Sequence, residues 1–233
     1  MKDQIKKKKG WSRAFFLFVF CMVFTSCNNK NENALNPEAI YFDYQITGEE
    51  GNDNLTVMLQ YRVGGEEGDA VSIGNVSLDG ELMTLDSSKM SGAFYELHKP
   101  ITEFKGKHNI LFTSINKKEY KEEFDFQPVE LITLIADTVH RSDLSFEFKG
   151  LLKKDNLRVL LTDTSFLNNG INRVDLVQDG RLVINQTDLE TLANGPVQIE
   201  FIREYERPVK NGTVEGGRLR LTYSLKREFI LLD

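Results

Sequence analysis

Cysteine is almost missing from this sequence. Of 233 residues only Cys21 and Cys27 carry a thiol, and both lie in or at the edge of an N-terminal apolar leader. Once that leader is removed Cys27 stands alone, so no intramolecular disulfide can form even where disulfides are favoured. Tryptophan occurs once, at Trp11 of the same leader, which leaves the body of the chain to pack on Phe, Tyr, Leu, Ile and Val. Positive charge is also short. Residues 1–26 carry a net +5, so the other 207 must hold −11 to reach the total of −6. A body this acidic, with no basic stripe, repels phosphate backbones and excludes nucleic acid as a partner.

The vocabulary of catalysis is equally thin. There is no Gly-x-Ser-x-Gly elbow to present a nucleophile. The three histidines, His98, His108 and His140, lack the i,i+2 or i,i+4 pairing that builds a metal site, and they read as polar residues at strand ends. Two acidic loops, Glu49-Glu50-Gly51-Asn52-Asp53-Asn54 and Glu66-Glu67-Gly68-Asp69, could offer oxygens to Ca²⁺. Neither has the residue order of a dedicated calcium loop, so both read as solvated turns. No catalytic residue, no metal ligand and no cofactor is expected.

What is present begins with the leader. A basic head over residues 2–13 precedes the uncharged run Ala14–Ser26. As a helix this run would span roughly 20 Å, short of the ~30 Å hydrocarbon core, which favours a signal peptide over a permanent membrane span. The junction Phe24-Thr25-Ser26-Cys27 resembles the lipobox of bacterial lipoproteins, with Phe24 where Leu is usual. The resemblance implies cleavage between Ser26 and Cys27 and acylation of Cys27, which would anchor the chain to a membrane through lipid. Residues 27–38 then form the lipidated cysteine and a flexible polar linker. By analogy with enteric lipoproteins, Asn28 lacks the Asp that favours inner-membrane retention, so the outer membrane is expected. Which of its faces is left open.

From Ile40 onward the dominant period is two. Leu55/Val57/Leu59/Tyr61, Leu144/Phe146/Phe148, Leu157/Val159/Leu161, Val197/Ile199/Phe201 and Leu219/Leu221/Tyr223/Leu225 alternate with polar residues, as half-buried strands do. Turn signals separate them: Gly64-Gly65, Asp79-Gly80, Asn169-Gly170, Asp179-Gly180, Asn194-Gly195, Asn211-Gly212 and Gly216-Gly217. A strand is expected to run from near Leu131 to His140. The one helical signal is Thr187-Asp188-Leu189-Glu190, a capping-box pattern worth a turn or two. Many short strands with almost no helix predict an all-β fold.

A boundary at Gln127-Pro128 divides the body into residues 39–127 and 128–233, each the size of an immunoglobulin-like sandwich. The pattern resembles the tandem immunoglobulin-like modules of bacterial envelope lipoproteins, though neither half has the Cys…Trp…Cys of antibody domains. A duplication is suggested by Val76–Leu82 and Val177–Leu182, which share Asp-Gly-x-Leu. Charge is uneven: residues 39–127 hold 16 acids against 8 Lys/Arg, whereas residues 128–233 hold 16 against 14. The first half could face a basic partner or simply stay soluble. The expected role is a membrane-tethered, non-catalytic binding or scaffold module with an envelope protein or polysaccharide partner. The alternatives are a carbohydrate-binding accessory protein, which needs coplanar exposed tyrosines, and a hydrolase, which needs a cleft of convergent acids.

Overall fold

The computed structural model describes residues 36–164 and 170–233. The leader, Ser26, Cys27 and Asn169 lie outside the described residues. A 3-10 turn at Pro37–Ala39, capped by the Asn36 side chain, leads into the first strand.

The first half is built of β1 (Ile40–Glu49), β2 (Asn54–Val63), β3 (Asp69–Ala70), β4 (Asn75–Leu78), β5 (Glu81–Leu82), β6 (Thr84–Ser88), β7 (Gly92–Pro100), β8 (Gly106–Thr113) and β9 (Glu119–Phe126). One sheet runs β6-β7-β2-β1, with β3 beside β2, and the other runs β5-β4-β8-β9. These are the D-E-B-A and C′-C-F-G orders of an immunoglobulin-like sandwich. Alternation places one side chain in two between the layers. Phe42 of β1 meets Tyr61, Phe112 and Tyr120 edge-on, with ring centroids 5.3, 5.9 and 5.4 Å away. Such contacts add to the burial of large rings and replace the missing tryptophan and disulfide.

The second half contains β10 (Glu130–Leu131), β11 (Thr138–His140), β12 (Leu144–Lys149), β13 (Lys154–Asp163), β14 (Ile171–Gln178), β15 (Arg181–Ile184), α1 (Gln186–Leu189), β16 (Gly195–Thr213) and β17 (Gly216–Leu232). Here β10-β12-β15 faces β14-β13-β16-β17-β11, again an immunoglobulin-like order, and the layers are joined by the pair Gln178↔Arg181. Phe146 and Phe148 from one layer both stand edge-on to Phe201 of the other at 5.0 Å. The protein is all-β, with two immunoglobulin-like sandwiches in tandem.

The last hairpin departs from a simple tandem. β16 and β17 span 19 and 17 residues, several times the usual strand of about 5–6. Only the base of the hairpin belongs to the second sandwich, where residues 197–202 pair with β13. The remainder reaches the first sandwich, and β17 pairs in parallel with β1 from Phe42↔Gly217 to Glu49↔Ser224. The connection at Gln127-Pro128 lies between β9 and β10, and the hairpin crosses back over it. One continuous sheet path therefore runs from β6 through β1, β17 and β16 to β14.

Several local expectations are corrected. Asn211-Gly212 is not a hairpin turn: Gly212 lies in β16 beside a register irregularity between Pro208 and Thr213, and the chain reverses at Val214-Glu215. The run from Leu131 to His140 is two strands rather than one. β10 pairs with β12 and β11 with β17, so the chain changes layer between them, leaving Leu134 96% exposed. The capping box runs from Asn185 to Asp188, two residues earlier than expected, because the Asp188 carboxylate accepts from the Asn185 amide at 3.1 Å. The Asp-Gly pairs do turn, with Asp79 and Asp179 at φ 52° and 50°. However, one joins β4 to β5 and the other β14 to β15, at different points of the strand order. Asp-Gly-x-Leu suits any tight hairpin, so the shared string does not mark equivalent positions.

Candidate functional site: the hairpin junction and its groove

The hairpin is held against the first sandwich by a set of charge clasps. Asp43 of β1 is 1% exposed. The Arg218 guanidinium, directly across the β1–β17 ladder, donates to its two carboxylate oxygens at 2.9 and 3.1 Å. Arg62 adds a longer contact at 3.8 Å. Glu122 sits on the inward side of β9 at 2% exposure. It takes Arg207 at 2.6 Å and accepts from the Lys210 amide at 2.7 Å. Neither acid could be buried without these partners, since an unpaired buried charge is costly. The hairpin also covers the free edge of β9, where Arg207 donates to the Glu123 carbonyl and Asn211 to the Lys121 carbonyl, at 2.7 and 2.8 Å.

The acidic loops join the same system. Glu49 pairs with Lys226 at 2.7 Å, Glu50 with Arg227 and Glu66 with Arg218. The Glu50 hydrogen bond raises the Arg227 pKa from its ordinary value. These carboxylates are engaged by cations of β17, and among the described residues no cluster of three or more His, Cys, Asp or Glu is arranged to hold a metal. Five acids of the first half, Asp43, Glu49, Glu50, Glu66 and Glu122, are thus engaged within the chain by Arg207, Arg218, Lys226 and Arg227 of the second. The signal was in the sequence, since seven of that half's 14 Lys/Arg fall between Arg203 and Arg227. Its meaning depended on a pairing between residues some 175 apart, which no local pattern discloses.

Beside this junction lies an open groove of about 330 Å³, within the range of small binding sites. The ribbon face of the hairpin supplies Arg203, Tyr205 and Tyr223, β9 supplies Phe126, and Leu152 rises from the turn between β12 and β13. Tyr205 and Leu152 are 40% and 59% exposed. Arg203 is fixed by Asp155 at 3.0 Å and by the carbonyls of Gln127 and Gly150. Tyr223 is stacked edge-on to Phe126 at 6.0 Å, and burial, aided by Glu50 and Glu130, raises its pKa. The groove offers rigid aromatic and aliphatic surface with a guanidinium at hand, a composition enriched at protein interfaces.

The histidines do not converge. His98 contacts Thr56 at 3.2 Å on an exposed face, and His140 contacts the Asp233 carbonyl at 2.6 Å. His108 is enclosed. Its ring stacks on Phe104 at 3.7 Å, with Nδ1 2.7 Å from Asp79 and Nε2 2.9 Å from the Phe104 carbonyl. Both ring nitrogens are engaged, Nδ1 by Asp79 of the β4–β5 turn and Nε2 by the Phe104 carbonyl of the β7–β8 connection, so the imidazole ties these two loops together. Five of the seven tyrosines are buried, namely Tyr44, Tyr61, Tyr95, Tyr120 and Tyr223. Tyr41 is half-buried and Tyr205 stands out from the surface, so the described residues hold no coplanar tyrosine platform. Burial pushes the phenol pKa of Tyr44 and Tyr61 up and keeps both neutral in the core. Ser26 and Cys27, the expected cleavage and lipidation residues, lie outside the described residues. No described helix is long and apolar enough to cross a membrane.

No family model matches the sequence, and no curated protein matches it. Among solved structures, the chain is similar to the first two immunoglobulin domains of DIP-gamma, at 12% identity and a TM-score of 0.22, covering 79% of this chain and 97% of that one. It is also similar to a tandem pair of titin immunoglobulin domains, at 8% identity and a TM-score of 0.25, covering 82% and 94%. A third similarity is to the Yersinia pseudotuberculosis adhesin InvE, at 14% identity and a TM-score of 0.22, covering 78% and 58%. Scores this low align no fold in detail, and the strand order described above is what defines the architecture.

Proposed function

We propose that the chain is a lipid-tethered, non-catalytic binding or scaffold protein of a bacterial envelope, cut before Cys27 and carried on the outer membrane, whose hairpin groove receives a segment of an envelope protein. The observation that carries the binding role is the groove itself, where Tyr205 and Leu152 stand exposed over a cleft walled by two structural units and stiffened by Arg203. A site whose walls are fixed by ion pairs before a partner arrives loses little side-chain entropy on binding. The Thr25-Ser26-Cys27 junction and the polar linker after it support the tether. Several acyl chains on one cysteine would make that anchor durable.

The test has two arms in native membranes. Fatty-acid labelling should mark the wild-type chain and not Cys27→Ala. Photo-crosslinking residues placed at Tyr205 and at Leu152 should give the same discrete protein adduct, and one placed at Met90, 99% exposed away from the groove lining, should give none. An unlabelled wild type removes the tether. Identical patterns from all three positions, or no adduct from the first two, remove the groove.

A further inference from the structure

Edge strands leave backbone donors and acceptors open to another chain, and proteins usually blunt them with brevity, proline, bulges or cover. Most edges here are blunted. β5, β10 and β11 are two or three residues long, and β6 is a five-residue polar strand exposed throughout. The edge of β9 is capped by Arg207 and Asn211. β14 is the exception. Eight residues long and free of proline, it pairs with β13 along one side. Along the other it makes a single pair at Gln178, so among the described residues no strand covers residues 171–177. Its outward side chains Val174 and Leu176 are 54% and 52% exposed.

We infer that this edge pairs with a second copy of itself, antiparallel about a two-fold axis through Val174. The warrant is that the strand is complementary to its own reversal in this register. An antiparallel continuation of a sheet places residues of the same face opposite one another. Centred on Val174, the inward face sets Ile171 against Val177 of the second copy and Arg173 against its Asp175, and the reverse holds on the other side of the axis. The outward face sets Val174 against itself and Leu176 against Asn172. The neighbouring symmetric registers fail, because centring on Arg173 or Asp175 places like charges in direct opposition. A protective edge charge works by meeting its own sign or an apolar surface. Here the two charges are opposite and symmetrically placed, so they select one register instead of blocking all. Within one chain the two are already paired, Arg173 Nε donating to both Asp175 oxygens at 2.9 Å. The second copy would join two such pairs into a four-charge network at a rim where they are 34% and 22% exposed, while the terminal guanidinium nitrogens hold Asp188 of α1 at 2.6 and 2.8 Å. Those bonds pre-orient the guanidinium, and a carboxylate such as Asp175 has lone pairs for a second donor. The inference is independent of the groove, which lies on other strands.

The test is register-specific. In the full chain carrying Cys21→Ser and Cys27→Ser, single variants Val174→Cys, Asn172→Cys and Leu176→Cys are oxidised mildly. Opposed positions bring Cβ atoms within about 4.5–5.5 Å, near disulfide range. Val174→Cys should crosslink to itself. Asn172→Cys and Leu176→Cys should each crosslink at least tenfold less alone than when mixed with one another. Adding Val174→Lys to the mixed pair, an exposed change that leaves the core intact, should abolish the crosslink. Equal crosslinking at all three positions overturns the register. A monomer at every concentration by sedimentation, or a Val174→Cys adduct with a different protein in place of the homodimer, overturns self-pairing.

Discussion

Removing Arg218 isolates the contribution of the hairpin to the first sandwich. Arg218→Met keeps most of the aliphatic stem and deletes the guanidinium that donates to both oxygens of Asp43. Asp43 is 1% exposed, so water cannot replace the lost donors. Breaking a buried ion pair by deleting one partner costs about 3–5 kcal/mol. Arg62 at 3.8 Å and the Gln45 amide at 3.3 Å stay close to the carboxylate, which places the loss at the low end, about 3 kcal/mol. Loss of the Glu66 contact adds little, because that carboxylate is 47% exposed and surface pairs are worth under about 1 kcal/mol. For a chain of this size the melting temperature should fall by about 6–12 °C, followed by far-UV circular dichroism. The double variant Asp43→Asn, Arg218→Met removes both charges and should recover about 2 kcal/mol of coupling. A shift under about 2 °C for Arg218→Met, or strict additivity in the double variant, would refute the reasoning.

Gly217→Val should destabilise by about 2 kcal/mol, because a Cβ there would meet the Phe42 carbonyl oxygen at 2.4 Å and its Cβ at 2.7 Å; an unchanged urea midpoint would contradict this. Hydrogen bonds from Arg173 hold the Asp188 carboxyl below its usual range against the opposing effect of burial. A depressed folded pKa gives stability that is complete above the unfolded value of about 3.9 and is lost as pH falls through the folded value. Wild type should therefore lose more stability between about pH 5 and pH 2 than Asp188→Asn does, and equal acid slopes in thermal melts would count against the pairing. The isolated segment 39–127 leaves Asp43 without Arg218, Glu122 without Arg207 and β1 without its parallel neighbour. It should give a collapsed amide spectrum by nuclear magnetic resonance, and well-dispersed signals would show that the hairpin is dispensable.

The strands were legible because alternation is a local signal. Leu55, Val57, Leu59 and Tyr61 are all at most 1% exposed, as are Leu157, Val159 and Leu161. The Asp-Gly turns were legible for the same reason, since a positive φ is demanded of the two residues themselves. The hairpin was not. Val197/Ile199/Phe201 and Leu219/Leu221/Tyr223/Leu225 read as separate strands of ordinary length, because Arg203, Glu204, Glu206 and Arg207 look like the polar end of one. Arg207 is polar because it meets Glu122 of the other sandwich, whereas Arg203, Glu204 and Glu206 pair with Asp155, Arg158 and Arg220 of their own half. Glu122 was hidden in the opposite way. In Tyr120-Lys121-Glu122-Glu123-Phe124 it occupies a core position with a surface residue type, and Arg207 and the Lys210 amide, arriving from 85 and 88 residues away, make that placement tolerable. The groove depends on the same long-range meeting of β9, β12–β13 and the hairpin, so Tyr205 and Tyr223 stood out only as two of the seven tyrosines a sugar platform could draw on, and Leu152 and Arg203 carried no local signal.

The dependence of one sandwich on the other is tested most directly by scanning calorimetry of the chain from Asn28 onward. Shared strands predict a single endotherm whose calorimetric and van't Hoff enthalpies agree, with β1 and β16 melting together. Two resolved endotherms, with residues 40–126 unfolding while the second half stays intact, would contradict it.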